Sequence, residues 1–145
     1  IAMGAGTHMV ITSGKVMNPL GALSSGCRAS WFIAATDPVA SRKRWIAGTL
    51  EPKGTVVVDD GAAAALDAGK SLLPAGVRRI EGIFERGDAV VIRTLSGRDL
   101  GRGLIAYGSD QAARIIGKKS KAIAEILGFE GRAELIHRDD MALQR

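Results

Sequence analysis

"AGKSLLPAGVRR", residues 68–79, decides how this chain of 145 residues is read. Its Gly69-Lys70-Ser71 reproduces the last three positions of a nucleotide-binding phosphate loop, G-x-x-x-x-G-K-[ST]. In that loop backbone N–H groups close on phosphate oxygens and the lysine reaches the outer phosphates. Two features reject the reading. The first glycine of the pattern would fall at position 64, which is Ala64. A phosphate loop also follows a strand and opens a helix, whereas the alanine-rich stretch from Gly61 to Ala68 reads as a helix that ends here. Gly69 then sits just past a helix C-terminus, and Lys70 follows where the last carbonyls favour a cation. Leu72-Leu73-Pro74 is expected to pack the loop down before a strand begins at Val77.

Outward from this loop the chain alternates short strands with turns. "TVVVD" (55–59) reads as a strand, with Asp59-Asp60 at N-cap positions ahead of the helix. Downstream, "VRRIEG", "DAVVIRT" and "DLGRGLIAY" read as strands, with turns at Gly87-Asp88 and "LSGR". Close spacing of such strands predicts a small closed or half-closed barrel, and Gly101 and Gly103 inside a strand predict a bulge or a tight corner. From Ser109 the period changes. Ser109-Asp110 is expected to cap "QAARII", Gly117 to interrupt it and Ser120 to cap "KAIAEILG", with Ile115, Ile116, Ile123, Ile126 and Leu127 facing inward. "AELIH" is expected to return to a strand, and "RDDMALQR" to pair before it frays.

The first third reads differently. Met9-Val-Ile11 predicts a short buried strand closed by Ser13-Gly14, "ALSSG" a helical turn ended at Gly26, and "CRASWFI" a second strand. "AATDPVAS" is the best linker candidate, and "VASRKRWIAG" predicts a short helix anchored by Trp45 and Ile46, starting at Ser41 or nearer Asp37. The net charge of +5 is uneven: residues 1–49 carry +4 and residues 50–145 only +1. Arg42-Lys43-Arg44 and the group Arg114, Lys118, Lys119 and Lys121 read as solvated faces.

Little chemistry is written into these residues. The single cysteine, Cys27, has no metal-binding partners in sequence and reads as a buried apolar thiol of a reducing compartment. His8 and His137 read as packing or hydrogen-bonding residues. Asp139-Asp140 beside His137 could form an acid/base group, but neighbouring strand residues face opposite ways, so capping is the expected role. The aromatics Trp31, Phe32, Trp45, Phe84, Tyr107 and Phe129 are set among apolar residues at core-like positions and form no stacking platform for RNA. No apolar run is long enough to span a bilayer and no signal peptide opens the chain, so a cytoplasmic location is expected. The start at Ile1 rather than methionine predicts a piece of a longer protein.

"RKRWIAG" (42–48), "GKSLLPAGVRRIEGIFERGDAVVI" (69–92), "GRDLGRGLIAY" (97–107) and "HRDDM" (137–141) together resemble the C-terminal part of the bacterial glutamate 5-kinase family. The resemblance covers essentially the whole chain. It implies a mixed α/β, mainly β fold: a PUA-type small β-barrel with inserted short helices over residues 50–145, named for pseudouridine synthases and archaeosine transglycosylases. A linker and short helix at 36–49 and a strand-containing remnant of an α/β amino-acid-kinase domain at 1–35 would precede it. "CRASWF" departs from the Gly-Thr common before the family's final Phe-containing strand. The family transfers the γ-phosphate of ATP, with magnesium, to the side-chain carboxylate of L-glutamate as the first step of proline synthesis. Its phosphate-handling elements lie upstream of residue 1, so no catalytic, cofactor-binding or metal residue carries over and this chain alone is expected to be inactive.

Two roles follow from the resemblance. One is regulatory or assembly work beside the parent kinase domain, with self-association through residues 7–34. The other is RNA binding, because PUA domains elsewhere contact RNA through the loop corresponding to Lys70–Gly76. Lys70, Ser71, Arg78, Arg79, Lys118 and Lys119 are the candidate contacts for that second role.

Overall fold

Val56, Val57 and Val58 are all fully buried, which requires cover on both faces of their strand. A computed structural model describes residues 6–34, 37–48 and 51–144 and shows how that cover arises. The chain divides into two compact units, Ile1–Arg42 and Lys43–Arg145.

In the second unit β3 (Gly54–Val58) lies inside a five-stranded sheet of order β4-β3-β5-β6-β7. β4 spans Val77–Gly82, β5 Ala89–Thr94, β6 Asp99–Leu104 and β7 Met141–Leu143. β3 runs antiparallel to β4 but parallel to β5, so the direct neighbours Val56 and Ile92 pair in parallel register. The order is linear, with β4 and β7 at the edges. Three short helices supply the second layer: α3 (Asp60–Asp67), α4 (Ser109–Ile115) and α5 (Ile123–Leu127). Leu66, Ala112, Ile115 and Ile123 from them join Val56, Val58, Val90, Ile92 and Phe84 in one apolar cluster, with Ile116, Ile126 and Leu127 packed at its margin.

The glycines in β6 follow from close approach. A Cβ on Gly101 would lie 2.2 Å from the Ala142 carbonyl oxygen, and one on Gly103 2.7 Å from the Ile136 side chain. The bulge expected there is also present, because Ile92 pairs with Gly101 but Arg93 pairs with Asp99, leaving Leu100 as the extra residue.

Several local expectations are corrected. Gly108, not Ser109-Asp110, precedes the first turn of α4, and no side chain caps it. Ser120 lies inside a 3₁₀ turn (Ser120–Ala122), and its hydroxyl donates to the Ala133 carbonyl at 2.7 Å, so it ties a loop instead of capping α5. "AELIH" forms only an isolated bridge, Leu72 with Ile136, because its carbonyls and amides serve the α3–β4 loop and Ala106 rather than a continuous ladder. Of the aromatics, Phe84 and Tyr107 are buried as expected, but Trp31, Phe32, Trp45 and Phe129 are exposed.

The first unit contains an antiparallel ribbon of β1 (Met9–Thr12) and β2 (Ala29–Phe32), joined through α1 (Pro19–Ser24). β1 is a strand but not a buried one, because a two-stranded ribbon has no second layer and α1 buries none of its residues. Cys27 is only half-buried, its thiol 3.5 Å from the Thr12 hydroxyl. The His8 imidazole accepts a hydrogen bond from the Ala34 amide at 3.0 Å, the role expected of it. α2 (Pro38–Gly48) takes up the second half of the expected linker: Asp37 accepts from the Val39 amide at 3.0 Å and Pro38 starts the helix with its φ already set. Ala35 and Thr36 of that linker, and the start Ile1–Ala5, lie outside the described residues. No helix among the described residues is long and apolar enough to cross a membrane.

Candidate ligand-binding surface

Asp59 caps α3 by accepting from the Ala62 amide at 2.7 Å, and Gly69 ends it in the left-handed conformation with φ +76°. The Gly69 amide donates to the Leu66 carbonyl and the Lys70 amide to the Ala65 carbonyl, the paired bonds of a Schellman ending. Backbone donors therefore serve the Ala65 and Leu66 carbonyls, and the Lys70 side chain makes neither of these bonds. Gly69-Lys70-Ser71 is a helix ending, and the phosphate-loop reading is excluded by its geometry.

The loop after Lys70 is tied at four points. The Ser71 hydroxyl accepts from the Arg138 amide at 3.0 Å. Leu72 exchanges backbone bonds with the 135–136 segment, at 2.9 Å to the Ile136 carbonyl and 2.7 Å from the Leu135 amide. The Pro74 carbonyl accepts from the Gly117 amide at 2.8 Å, and the Gly76 carbonyl from the Asp59 amide at 3.0 Å. Leu72 and Pro74 are buried and pack the loop down as expected, but Leu73, expected to pack with them, is exposed.

These ties place the sequence candidates. Lys70 and Ser71 begin the loop. Lys118 and Lys119 follow Gly117 and so stand beside Pro74. Arg78 and Arg79 are on successive positions of β4 and both have partners: Arg78 pairs with Asp59 at 2.7 Å and Arg79 with Glu81 at 2.7 Å. A phosphate would have to displace a carboxylate from each.

Two hollows flank the loop, and Lys70 lines both. A shallow apolar groove of about 320 Å³ runs between α3 and the loop, over Ala62, Ala65, Leu73 and Ala75. A larger cleft of about 650 Å³ opens between Lys43, Arg44 and Ala47 of α2, the end of α3, and the 138–143 segment. Leu66 and Met141, both buried, contribute its apolar lining, and Lys70 and Arg138 line it from opposite segments. His137 caps the 3₁₀ turn Arg138–Asp140 by accepting from the Asp139 amide at 3.3 Å, the hydrogen-bonding role expected of it, whereas Asp139 and Asp140 lie inside the turn and not at its cap. Sequence reading missed that Lys43, Arg44 and Arg138 share a cleft with Lys70. The signal was present in "RKRW" and "HRDDM", but only the fold brings segments so far apart in the chain together.

A third hollow, about 640 Å³, lies over Tyr107, Phe129, Glu85 and Arg86. The Tyr107 hydroxyl donates to the Arg132 carbonyl, and burial raises its pKa above the usual tyrosine value. The Glu85 amide, then Lys53, holds the Asp88 carboxyl low, and Arg93 does the same for Asp99. Among the described residues no group of three or more His, Cys, Asp or Glu side chains could hold a metal ion.

The PUA domain family pattern matches residues 54–127, from β3 to the end of α5. The chain belongs to the PUA domain family. Its PUA fold accounts for the mixed, mainly β sheet with short helices. The chain is 57% identical over 143 residues to the glutamate 5-kinase of Bradyrhizobium sp. strain BTAi1, covering 99% of this chain and 38% of that protein. It is also 57% identical over 143 residues, with the same coverage, to the glutamate 5-kinase of Nitrobacter hamburgensis. It thus spans 38% of the length of the curated relatives it matches, and corresponds to their C-terminal PUA portion. A solved PUA domain from Aeropyrum pernix K1, in complex with tartrate, is 34% identical at a TM-score of 0.43, over 59% of this chain and 43% of that one.

Proposed function

We propose that this chain is the non-catalytic C-terminal portion of a cytoplasmic glutamate 5-kinase, in which ATP and magnesium serve phosphoryl transfer to L-glutamate in proline biosynthesis. The observation that supports the reading is the 57% identity across 143 residues, which takes in the ribbon of the first unit as well as the PUA sheet. Transfer of a γ-phosphoryl group needs backbone donors, a lysine and metal arranged in line. The Gly-Lys-Ser here is a helix ending, and among the described residues no group of three or more His, Cys, Asp or Glu side chains could hold a metal ion, so no step of that chemistry is routed through them. Their work in the enzyme is binding and assembly.

On this reading residues 1–35 belong to the kinase domain, 36–49 connect, and 50–145 are the accessory domain. The strands of the ribbon pair only with each other, so each leaves an outer edge of backbone donors and acceptors unpaired within that sheet. In the kinase those edges meet further strands. In the 145-residue chain alone they meet a second copy, which light scattering at tens of micromolar reads as a dimer or larger; a strict monomer rejects that part. The main test is enzymatic. ADP production requiring both ATP and L-glutamate is expected from the full-length protein and not from this chain, and activity in this chain alone overturns the division of labour. RNA is not carried as a second function, because Arg78 and Arg79 are committed to Asp59 and Glu81.

A further inference from the structure

The cleft between α2, the end of α3 and β7 is lined by Lys43, Arg44, Lys70 and Arg138 against Asp67 and Asp139, a formal excess of two positive charges. Its volume of about 650 Å³ falls in the range of small-molecule sites, roughly 300–1,000 Å³. We propose that this cleft binds a small organic dianion, its charged ends held by Lys70 and Arg138 with Lys43, and its short aliphatic body laid on Leu66, Met141 and Leu143.

Three observations carry the proposal. Lys70 and Arg138 are far apart in the chain, but the segments that carry them are tied together, because the Ser71 hydroxyl takes the Arg138 amide at 3.0 Å and Leu72 is bonded to Ile136 at 2.9 Å, and both residues line the cleft. The mouth of the cleft is thus preorganised, which lowers the ordering cost of binding. The Ala65 and Leu66 carbonyls near the end of α3 already accept from the Lys70 and Gly69 amides, so the Schellman bonds that end the helix are made by backbone and not by the Lys70 ammonium. The cleft also has buried apolar side chains, Leu66 and Met141, which a free inorganic ion would not use.

The same observations favour a discrete ligand over a nucleic-acid strand. Asp67 and Asp139 interrupt the positive lining and would repel a continuous phosphate backbone while orienting a short molecule between them. The neighbouring arginines on β4 are paired with carboxylates and offer no track away from the cleft.

Isothermal titration of the 145-residue chain with succinate, glycerol phosphate, acetate and a short oligouridylate tests this. Succinate or glycerol phosphate is expected to bind about tenfold or more tighter than acetate, since each added charge-assisted contact contributes on the order of a factor of ten. The tighter of the two identifies the head group. Lys70→Gln and Arg138→Gln should each weaken that binding about tenfold, while Lys118→Gln/Lys119→Gln should leave it unchanged. Thermal midpoints of the unliganded variants, expected to match the parent, separate lost binding from lost folding. Equal binding of acetate and the dianions, an equal loss in the Lys118/Lys119 variant, or saturable binding of the oligouridylate alone would overturn the proposal. None of these results depends on whether the parent is a kinase, so failure here leaves the enzymatic reading standing.

Discussion

The ribbon β1–β2 and the strand pair β3–β5 are built from similar residues and end in opposite environments. Ile11 is 55% and Trp31 62% exposed, whereas Val56 and Ile92 are fully buried. Strand formation is a local matter that both pairs satisfy, but burial requires a second layer. β3 and β5 receive theirs from α3, α4 and α5, whereas α1, the helix between the ribbon strands, has no buried residue. Apolar composition therefore marks core in one half of the molecule and unclaimed surface in the other.

The largest expected effect breaks this comparison if it fails. Phe84→Ala removes a buried ring from the sheet unit and should cost roughly 3–5 kcal/mol in urea unfolding. Trp31→Ala, a larger deletion by volume, should change the same transition by no more than about 0.5 kcal/mol. Equal losses would mean that ribbon and sheet share one core.

A smaller effect sharpens the account of the sheet edge. Gly101→Ala places a methyl 2.2 Å from the Ala142 carbonyl oxygen and 2.7 Å from the Leu143 Cα, so β7 must move. The expected cost is about 1–3 kcal/mol, with hydrogen-exchange protection lost first at Met141–Leu143. Uniform loss of protection across the sheet would show that β7 is not a separable edge.

The sheet was readable from the sequence where local rules and tertiary needs agree. The α3 helix, its Asp59 cap, its Gly69 ending and the turns at Gly87 and Gly97 each follow from a backbone requirement that few residues meet. Reading failed where a residue type serves two purposes. Ser120 has the chemistry of a cap but ties Ala133, and Ser109 stands one position inside its helix. Apolar neighbours make Trp31 and Phe129 look like core, yet no layer covers them. The candidate cleft was invisible for a different reason: the segments of Lys70 and Arg138 are brought together by the Leu72–Ile136 bridge and the Ser71–Arg138 bond, contacts that no local pattern encodes.

Tyr107 offers a cleaner probe of the sheet unit, because it is the only tyrosine. Its pKa is raised, chiefly by burial, so the folded state holds the phenol proton more tightly than the unfolded chain. That contribution to stability is complete below the ordinary value of 10.0 and is lost as pH rises through the folded value. Absorbance at about 295 nm should titrate above a free tyrosine phenol in the native protein and return to it in urea. Tyr107→Phe should remove the titration and, by leaving the Arg132 carbonyl without this donor, cost on the order of 1 kcal/mol. A native phenol titrating at the ordinary value would mean that the ring is open to water.

The smallest effect lies at the acid limb and returns to the two halves. Of the 15 acidic residues only Asp37 falls within residues 1–49, so acid acts almost wholly on the sheet unit. Asp88 is held below 3.8 by the Glu85 amide and then by Lys53 at 3.2 Å, and Asp99 by Arg93. Lowered folded values mean stability that is present above 3.8 and lost as pH falls through the folded values. Asp88→Asn should therefore flatten the fall in urea midpoint below about pH 4, and Asp99→Asn should do so less, because the Asp99 carboxylate is the more exposed of the two and its pairing with Arg93 is screened by salt and solvent. Added salt should shrink the Asp99 difference before the Asp88 difference, since the Asp88 carboxyl is held low chiefly by a backbone hydrogen bond and not by an ion pair. The reverse order would place the structural carboxylate in the β5–β6 hairpin instead of the turn before β5.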